Sequence, residues 1–136
     1  MIKNFNVSND NNKQKVNKRL LHKIMGILRK ELNFSVATLN LNLISSQTIK
    51  IINNRYLKHN NTTDIITFNY SGNLNNLDGE IFISIDDAQN NAKRYRCSLD
   101  KEIIRLIFHG ILHLIGYDDK SQSQKKKMKK IEDYLV

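Results

Sequence analysis

The chain has 136 residues, 22 of them lysine or arginine against 13 acidic residues, for a formal charge of +9 and a pI near 9.7. That length suits one domain with a real core and is too short for two, so a single domain over residues 1–136 is expected. The lone Cys97 excludes an internal disulfide, no apolar run approaches the roughly 18 residues of a membrane span, and the first residues lack the hydrophobic region of a signal peptide, so the expected location is a reducing cytoplasm and a membrane partner is not expected.

In chain order, Ile2 to Val7 reads as a short strand with Phe5 and Val7 on one face. From Lys13 to Leu32 the residues Val16, Leu20, Leu21, Ile24, Ile27 and Leu28 recur at three and four, the pattern of an amphipathic helix, with His22 on its polar side. Phe34 to Ile44 alternates, placing Leu39, Leu41 and Leu43 on one face and Asn40 and Asn42 on the other. A helix capped by Ser45 or Ser46 should then pack Ile49, Ile52 and Tyr56 inward and end near Leu57. Thr63 to Tyr70 and Glu80 to Ile85 read as strands able to pair as a hairpin around a Gly72–Gly79 loop rich in turn residues. Asp86 and Asp87 can cap the next helix, through Ala88, Ala92 and Tyr95, and Ser98 or Asp100 can start the one after it.

That last helix carries the chemistry. Between Ile103 and Ile115 apolar residues point in almost every direction, as in a helix enclosed by other elements, and the interruptions are Arg105, His109 and His113. His109 and His113 are one turn apart, so both imidazoles can reach one divalent ion, zinc first among candidates. Gly116 stands at the C-cap, and a chain reversed there can return Tyr117, Asp118 or Asp119 to the histidines as a third ligand. The frame follows H-E-x-x-H-x-x-G-x-x-H with Gly110 in place of the glutamate and Asp119 in place of the third histidine. Glycine cannot move a proton, which argues against peptide hydrolysis by that mechanism.

His109 to Asp119, H-G-I-L-H-L-I-G-Y-D-D, resembles the H-G-x-L-H-L-x-G-Y-D-H signature of the YbeY family of metal-dependent endoribonucleases of ribosomal RNA maturation, departing at the last position. Tyr56 to Phe68 is similar to that family's Y-R-x-K-D-x-P-T-D-V-L-S-F at Tyr56, Thr63, Asp64 and Phe68, and Gly79 to Ser84 to its G-D-I-x-I-S. The resemblance implies His109 and His113 as metal ligands and Asp119 as the third by substitution, with Asp118 its rival. The family's arginine after the tyrosine, taken to act in RNA cleavage, is Leu57 here. Leucine holds no phosphate, so Arg55, Lys58 or His59 must supply that role or it is absent; imidazole suits it, since it both donates to phosphate and transfers protons.

After Asp119, Met128, Ile131 and Leu135 form one helical stripe and lysines fill the rest, with Lys125, Lys126 and Lys127 as candidate RNA-backbone contacts. The expected fold is α+β, a small mixed sheet of about four strands with several helices, among them a central buried metal-binding helix. The expected function is a metal-dependent endoribonuclease preferring single strands, acting in ribosomal RNA maturation and ribosome quality control. RNA, the small-subunit ribosomal RNA and the ribosome are its expected partners, and DNA is not. His59 and Asp118 are the candidate catalytic residues, and Arg55, Lys58 and Arg105 further RNA contacts, Arg105 equally a partner for Glu102. Two other classes stay open: a zinc hydrolase of a different substrate class, and a non-catalytic ribosome-associated RNA-binding factor with a structural metal.

Overall fold

The computed structural model describes residues 3–10, 14–57 and 63–116, together with 125, 126, 129, 130 and 133. The elements run β1 (Phe5–Asn9), α1 (Lys18–Leu32), β2 (Ser35–Ile44), α2 (Ser46–Leu57), β3 (Ile65–Asn69), β4 (Asn76–Ser84), α3 (Ile85–Arg94) and α4 (Leu99–Leu114). The strands make one sheet in the order β1-β2-β4-β3. β1, β2 and β4 are parallel neighbours, and β3 closes the edge antiparallel to β4. This is the mixed α+β fold expected from the sequence, including the β3–β4 pairing.

The alternation in β2 does what it predicts. Leu39, Leu41 and Leu43 are fully buried and meet Leu77, Ile81 and Ile83 of β4 in the main core, which α1, α3 and α4 cover. The opposite sheet face is covered in part by α2, where Ile49 and Ile52 pack on Ile44, Ile66, Phe68 and Phe82. Beyond α2 that face carries polar side chains joined across strands: Asn6 donates to Asn40 at 3.2 Å, and Asn42 donates to Glu80 at 2.9 Å. Among the described residues no helix is long and apolar enough to cross a membrane.

Several boundaries differ from the sequence reading for local reasons. α1 starts at Lys18 because the Asn17 side chain accepts from the Leu20 amide. β4 begins at Asn76, three residues before the end of the expected loop, because β2 supplies a parallel partner as far down as Ser35. α3 is capped by Ser84, which accepts from the Asp87 amide, so Asp86 and Asp87 form its first turn and are not its cap. Asp86 instead accepts from the Ser46 amide at 2.8 Å, and Ser45 from that of Thr48, so the start of α2 is tied to the start of α3. α4 is capped by Ser98. Tyr56 is not packed inward: it is 63% exposed, standing edge-on to Phe68 where the sheet surface runs out.

His22 is the clearest correction. It is buried, 9% exposed, and its ring meets Phe5 edge-on at 4.9 Å, because parallel pairing of β1 with β2 carries Phe5 over that side of α1. Its Nδ1 has no hydrogen-bond partner. Burial holds its pKa below the usual 6.5, so the folded protein favours neutral imidazole. As pH falls through about 6.5 the unfolded chain takes up the proton first, and stability declines with it. In thermal melts of wild type and His22→Leu between about pH 5 and 8, the variant should therefore lose less stability on acidification than wild type does. Parallel pH profiles would refute this account.

Candidate functional site

α4 is buried along Ile103, Ile104, Leu106, Ile107, Phe108, Ile111, Leu112 and Leu114. Its one open stripe is Arg105, His109 and His113, spaced by four: Arg105 and His109 are half-buried and His113 is exposed. The two imidazoles are thus not sealed in the core, as the apolar context suggested, but stand one turn apart at the helix surface with access from solvent. A positive-φ Gly116 follows (φ 82°), where the chain leaves the helix after the Ile115 cap, as the spacing predicted.

Edge strand β3 forms the wall of this stripe. A Cβ on Gly110 would stand 3.0 Å from Ile65 Cδ1 and 3.3 Å from Thr67 Cγ2, so glycine lets β3 lie directly against the helix. A glutamate there would have to enter occupied space, which is a physical reason the peptidase-type base is missing. The close approach brings Thr67 Oγ1 to 3.1 Å from His113 Nδ1. Two residues along, Asn69 donates to the Leu114 carbonyl at 3.4 Å and ties β3 to the end of the helix. With Nδ1 engaged, His113 has Nε2 left for an ion, and orientation of a ligating imidazole through its second nitrogen is what metal sites use. The donor set therefore fits a divalent ion at two positions. No group of three or more His, Cys, Asp or Glu able to hold a metal occurs among the described residues; Asp118 and Asp119 lie outside them.

One turn before His109, Arg105 is tied to a buried acid. Its Nε donates to Glu102 Oε1 at 2.8 Å and its Nη2 to Oε2 at 2.6 Å. The Glu102 side chain is 1% exposed and that of Arg105 34%. Asn91 on α3 donates to Glu102 at 3.3 Å and to Asp64 at 3.4 Å, linking α4 through α3 to the entry of β3. The Glu102 hydrogen bond raises the Arg105 pKa further above its ordinary value, so the guanidinium is charged throughout. A polar cleft of about 320 Å³ lined by Thr63, Asp64, Asp87 and Asn91 opens beside this network.

Of the residues singled out from sequence, Arg105, His109 and His113 come together. Arg55 is exposed on α2, which packs on the other face of the sheet, and does not join them. Lys125 and Lys126 are exposed and helical. Lys58, His59, Asp118, Asp119 and Lys127 lie outside the described residues. Thr67 and the Asp64–Asn91–Glu102 chain were missed. The alternation of β3 carried the signal for Thr67, since it puts Thr67 on the same face as Ile65, but nothing local says which helix that face meets.

The sequence profile described as Endoribonuclease YbeY matches residues 4–136. Proteins named Endoribonuclease YbeY from Karelsulcia muelleri and Amoebophilus asiaticus are 42% and 35% identical over 113 residues, 83% of this chain and 79% and 76% of theirs. The protein of that name from Chlorobaculum tepidum is 32% identical over 124 residues, 91% of this chain and 90% of its own. The solution structure of TM1509 from Thermotoga maritima is similar with a TM-score of 0.63 and 26% identity, covering 93% of this chain and 85% of that one.

The Glu102–Arg105 pair has a consequence for stability. Arg105→Ala leaves a buried carboxylate with Asn91 as its donor. Because Arg105 is one-third exposed, we expect a loss of about 2–3 kcal/mol in urea unfolding, below the 3–5 typical of fully buried pairs. Replacing both partners, Glu102→Leu with Arg105→Met, should recover most of it. A double variant no more stable than Arg105→Ala would show that the pair is worth more than its desolvation cost.

Proposed function

For this chain, which belongs to the YbeY family of endoribonucleases, we propose metal-dependent cleavage of single-stranded RNA in ribosomal RNA maturation and ribosome quality control, in the cytoplasm, with the small-subunit ribosomal RNA and the ribosome as partners. Family membership makes the chain a hydrolytic nuclease acting on RNA. It favours this reading over a zinc hydrolase of another substrate class and over a non-catalytic RNA-binding factor. The observation that carries the metal reading is the open His109–His113 stripe with Thr67 on the Nδ1 of His113.

On this reading His109, His113 and Asp119 hold the ion, zinc first, and Asp118 and His59 are the candidates to take up the proton of the attacking water. When bound, a divalent ion supplies Lewis acidity toward the phosphate oxygen and lowers the pKa of water. Arg105 presents to a phosphate the N–H groups not used by Glu102. Lys125, Lys126 and Lys127 are candidates to track the backbone farther along, with Arg55 and Lys58 as further basic contacts. With Asp119 as third ligand, two neutral imidazoles and one anion make the ion a weaker Lewis acid than three imidazoles would, and suit iron or manganese as well as zinc.

The test combines metal content with RNA cleavage. Purified wild type should carry about one divalent ion per chain. His109→Ala with His113→Ala, and Asp119→Ala alone, should lose both metal and cleavage. Asp119→His should keep the metal and shift the cleavage optimum to lower pH. Full metal occupancy and cleavage in the double histidine variant would overturn the reading. Loss of metal in Asp118→Ala with retention in Asp119→Ala would move the third ligand by one residue.

Thr67 gives a separate expectation. Thr67→Val removes the group on His113 Nδ1 while nearly preserving shape, and should weaken metal affinity roughly 10- to 100-fold, with Thr67→Ser close to wild type. Equal metal affinity in Thr67→Val and wild type, by competition with a chelator, would mean that the hydroxyl does not orient the imidazole.

A further inference from the structure

Aromatic surface is scarce in this protein, with five tyrosines, five phenylalanines and no tryptophan in 136 residues. Three of these rings gather at Phe68 on β3, at Tyr70 just past its end and at Tyr56 near the end of α2. Phe68 and Tyr70 are stacked, 4° from parallel with centroids 6.2 Å apart, and Tyr56 meets Phe68 edge-on at 6.2 Å. Phe68 is held from behind by Phe82 at 5.9 Å. Tyr56 and Tyr70 are 63% and 60% exposed, so the cluster presents aromatic surface to solvent.

We propose that Tyr56, Phe68 and Tyr70 form a stacking platform for unpaired bases of the RNA substrate, on the sheet face opposite the α4 stripe. The proposal rests on the RNA-cleaving function above and names where the strand runs beyond the cleaved bond. Position supports it. β3 is the sheet edge, and its alternation sends Thr67 to His113 on one face and Phe68 to the platform on the other. A single strand crossing that edge meets both faces within neighbouring residues, whereas a stiff duplex does not fold over a strand edge.

Charge supports it as well. α2, which borders the platform, exposes Lys50 and Arg55 and contains no acidic residue, so backbone phosphates flanking a stacked base meet cations there. Two carboxylates of β4, Asp78 and Glu80, stand near Tyr70, and that of Glu80 accepts from the Tyr70 hydroxyl and from Asn42, each at 2.9 Å, so the phosphates are met on the α2 side of the rings. That hydrogen bond fixes the Tyr70 ring, most of whose surface stays exposed. Stacking on rings of this kind takes any base, since every base has a π face. The platform therefore adds affinity for unpaired RNA without adding sequence preference.

The absence of tryptophan supplies the probe. In Tyr70→Trp the new indole is the sole tryptophan, and its emission reports a base stacked on it. Titration of the full chain with oligouridylate should quench that emission, and an abasic ribose-phosphate oligomer of equal length should not. Tyr70→Ala and Tyr56→Ala should each weaken oligouridylate binding roughly 5- to 100-fold, the range for one lost stacking ring, while the slope of affinity against salt stays as in wild type because no phosphate contact is lost. Tyr70→Phe, which keeps the ring and frees Glu80, should bind nearly as wild type. The proposal is overturned if RNA binds without quenching the indole, or if both alanine variants bind as wild type. It is equally overturned if RNA affinity is unchanged while a wild-type dimer falls apart in the alanine variants, which would give the rings to a second copy of the chain. If wild type itself neither binds nor cleaves RNA, the functional reading fails first, and that outcome is distinct from a wild type that binds RNA and alanine variants that bind equally well.

Discussion

A helix apolar on all sides but one must be enclosed on all sides but one, and α4 imposes this on the whole molecule. Its buried residues need the sheet beneath, α1 and α3 at the sides, and β3 against the face that holds Gly110. What remains uncovered is the line Arg105, His109, His113. The site is thus defined by subtraction. Burial of Ile103, Ile107, Ile111 and Leu114 settles the rotation of the helix, and that rotation decides which side chains face water. An ion held on this stripe, as proposed, would need to contribute little stability, since the helix is held by hydrophobic burial whether or not an ion is bound.

Gly110 couples the enclosure to the chemistry. A larger residue there would press on the Ile65 and Thr67 side chains, the second of which makes the 3.1 Å contact with His113. Gly110 also sits where a zinc peptidase has its glutamate. Glycine here supplies no proton-transfer group and leaves room for the strand whose Thr67 meets His113. Asn69 and the Asp64–Asn91–Glu102 chain brace β3 at its two ends, so the strand is located by hydrogen bonds to α4 and α3 as well as by its ladder with β4.

What could be read from the sequence follows from the range of the interactions involved. The α4 stripe and the Gly116 exit are each set by local spacing and were legible, and Ser98 was one of the two starts, with Asp100, that the sequence offered. So was the alternation of β2, because both faces of a half-covered sheet are written into consecutive residues. His22 was misread because its cover, Phe5, comes from a strand seventeen residues earlier whose pairing with β2 is a tertiary event. The start of β4 at Asn76 was hidden for the same reason: Asn, Asp and Gly are turn residues in isolation and became strand because β2 lay alongside. Thr67 illustrates the limit at the site itself, since its face was predictable and its partner was not.

Arg105 bears on how this chain could meet a phosphate with Leu57 where the motif resemblance implies an arginine. It stands one turn from His109 and is charged at any working pH, yet Glu102 at 2.6 Å makes the pair neutral as a unit. Seen from a phosphate several ångströms away, the pair is a dipole with three unspent N–H groups, and it confers orientation more than attraction. An anionic third ligand at Asp119 would reduce the local positive charge further. Attraction of RNA must then come from charge spread outside the stripe, and the chain has it, at +9 overall, with Lys125 and Lys126 exposed near its end and Lys50 and Arg55 on α2. On the proposed reading, long-range capture by dispersed lysines and short-range orientation by a compensated arginine would be separable tasks, because the first falls steeply with salt and the second, partly buried, does not.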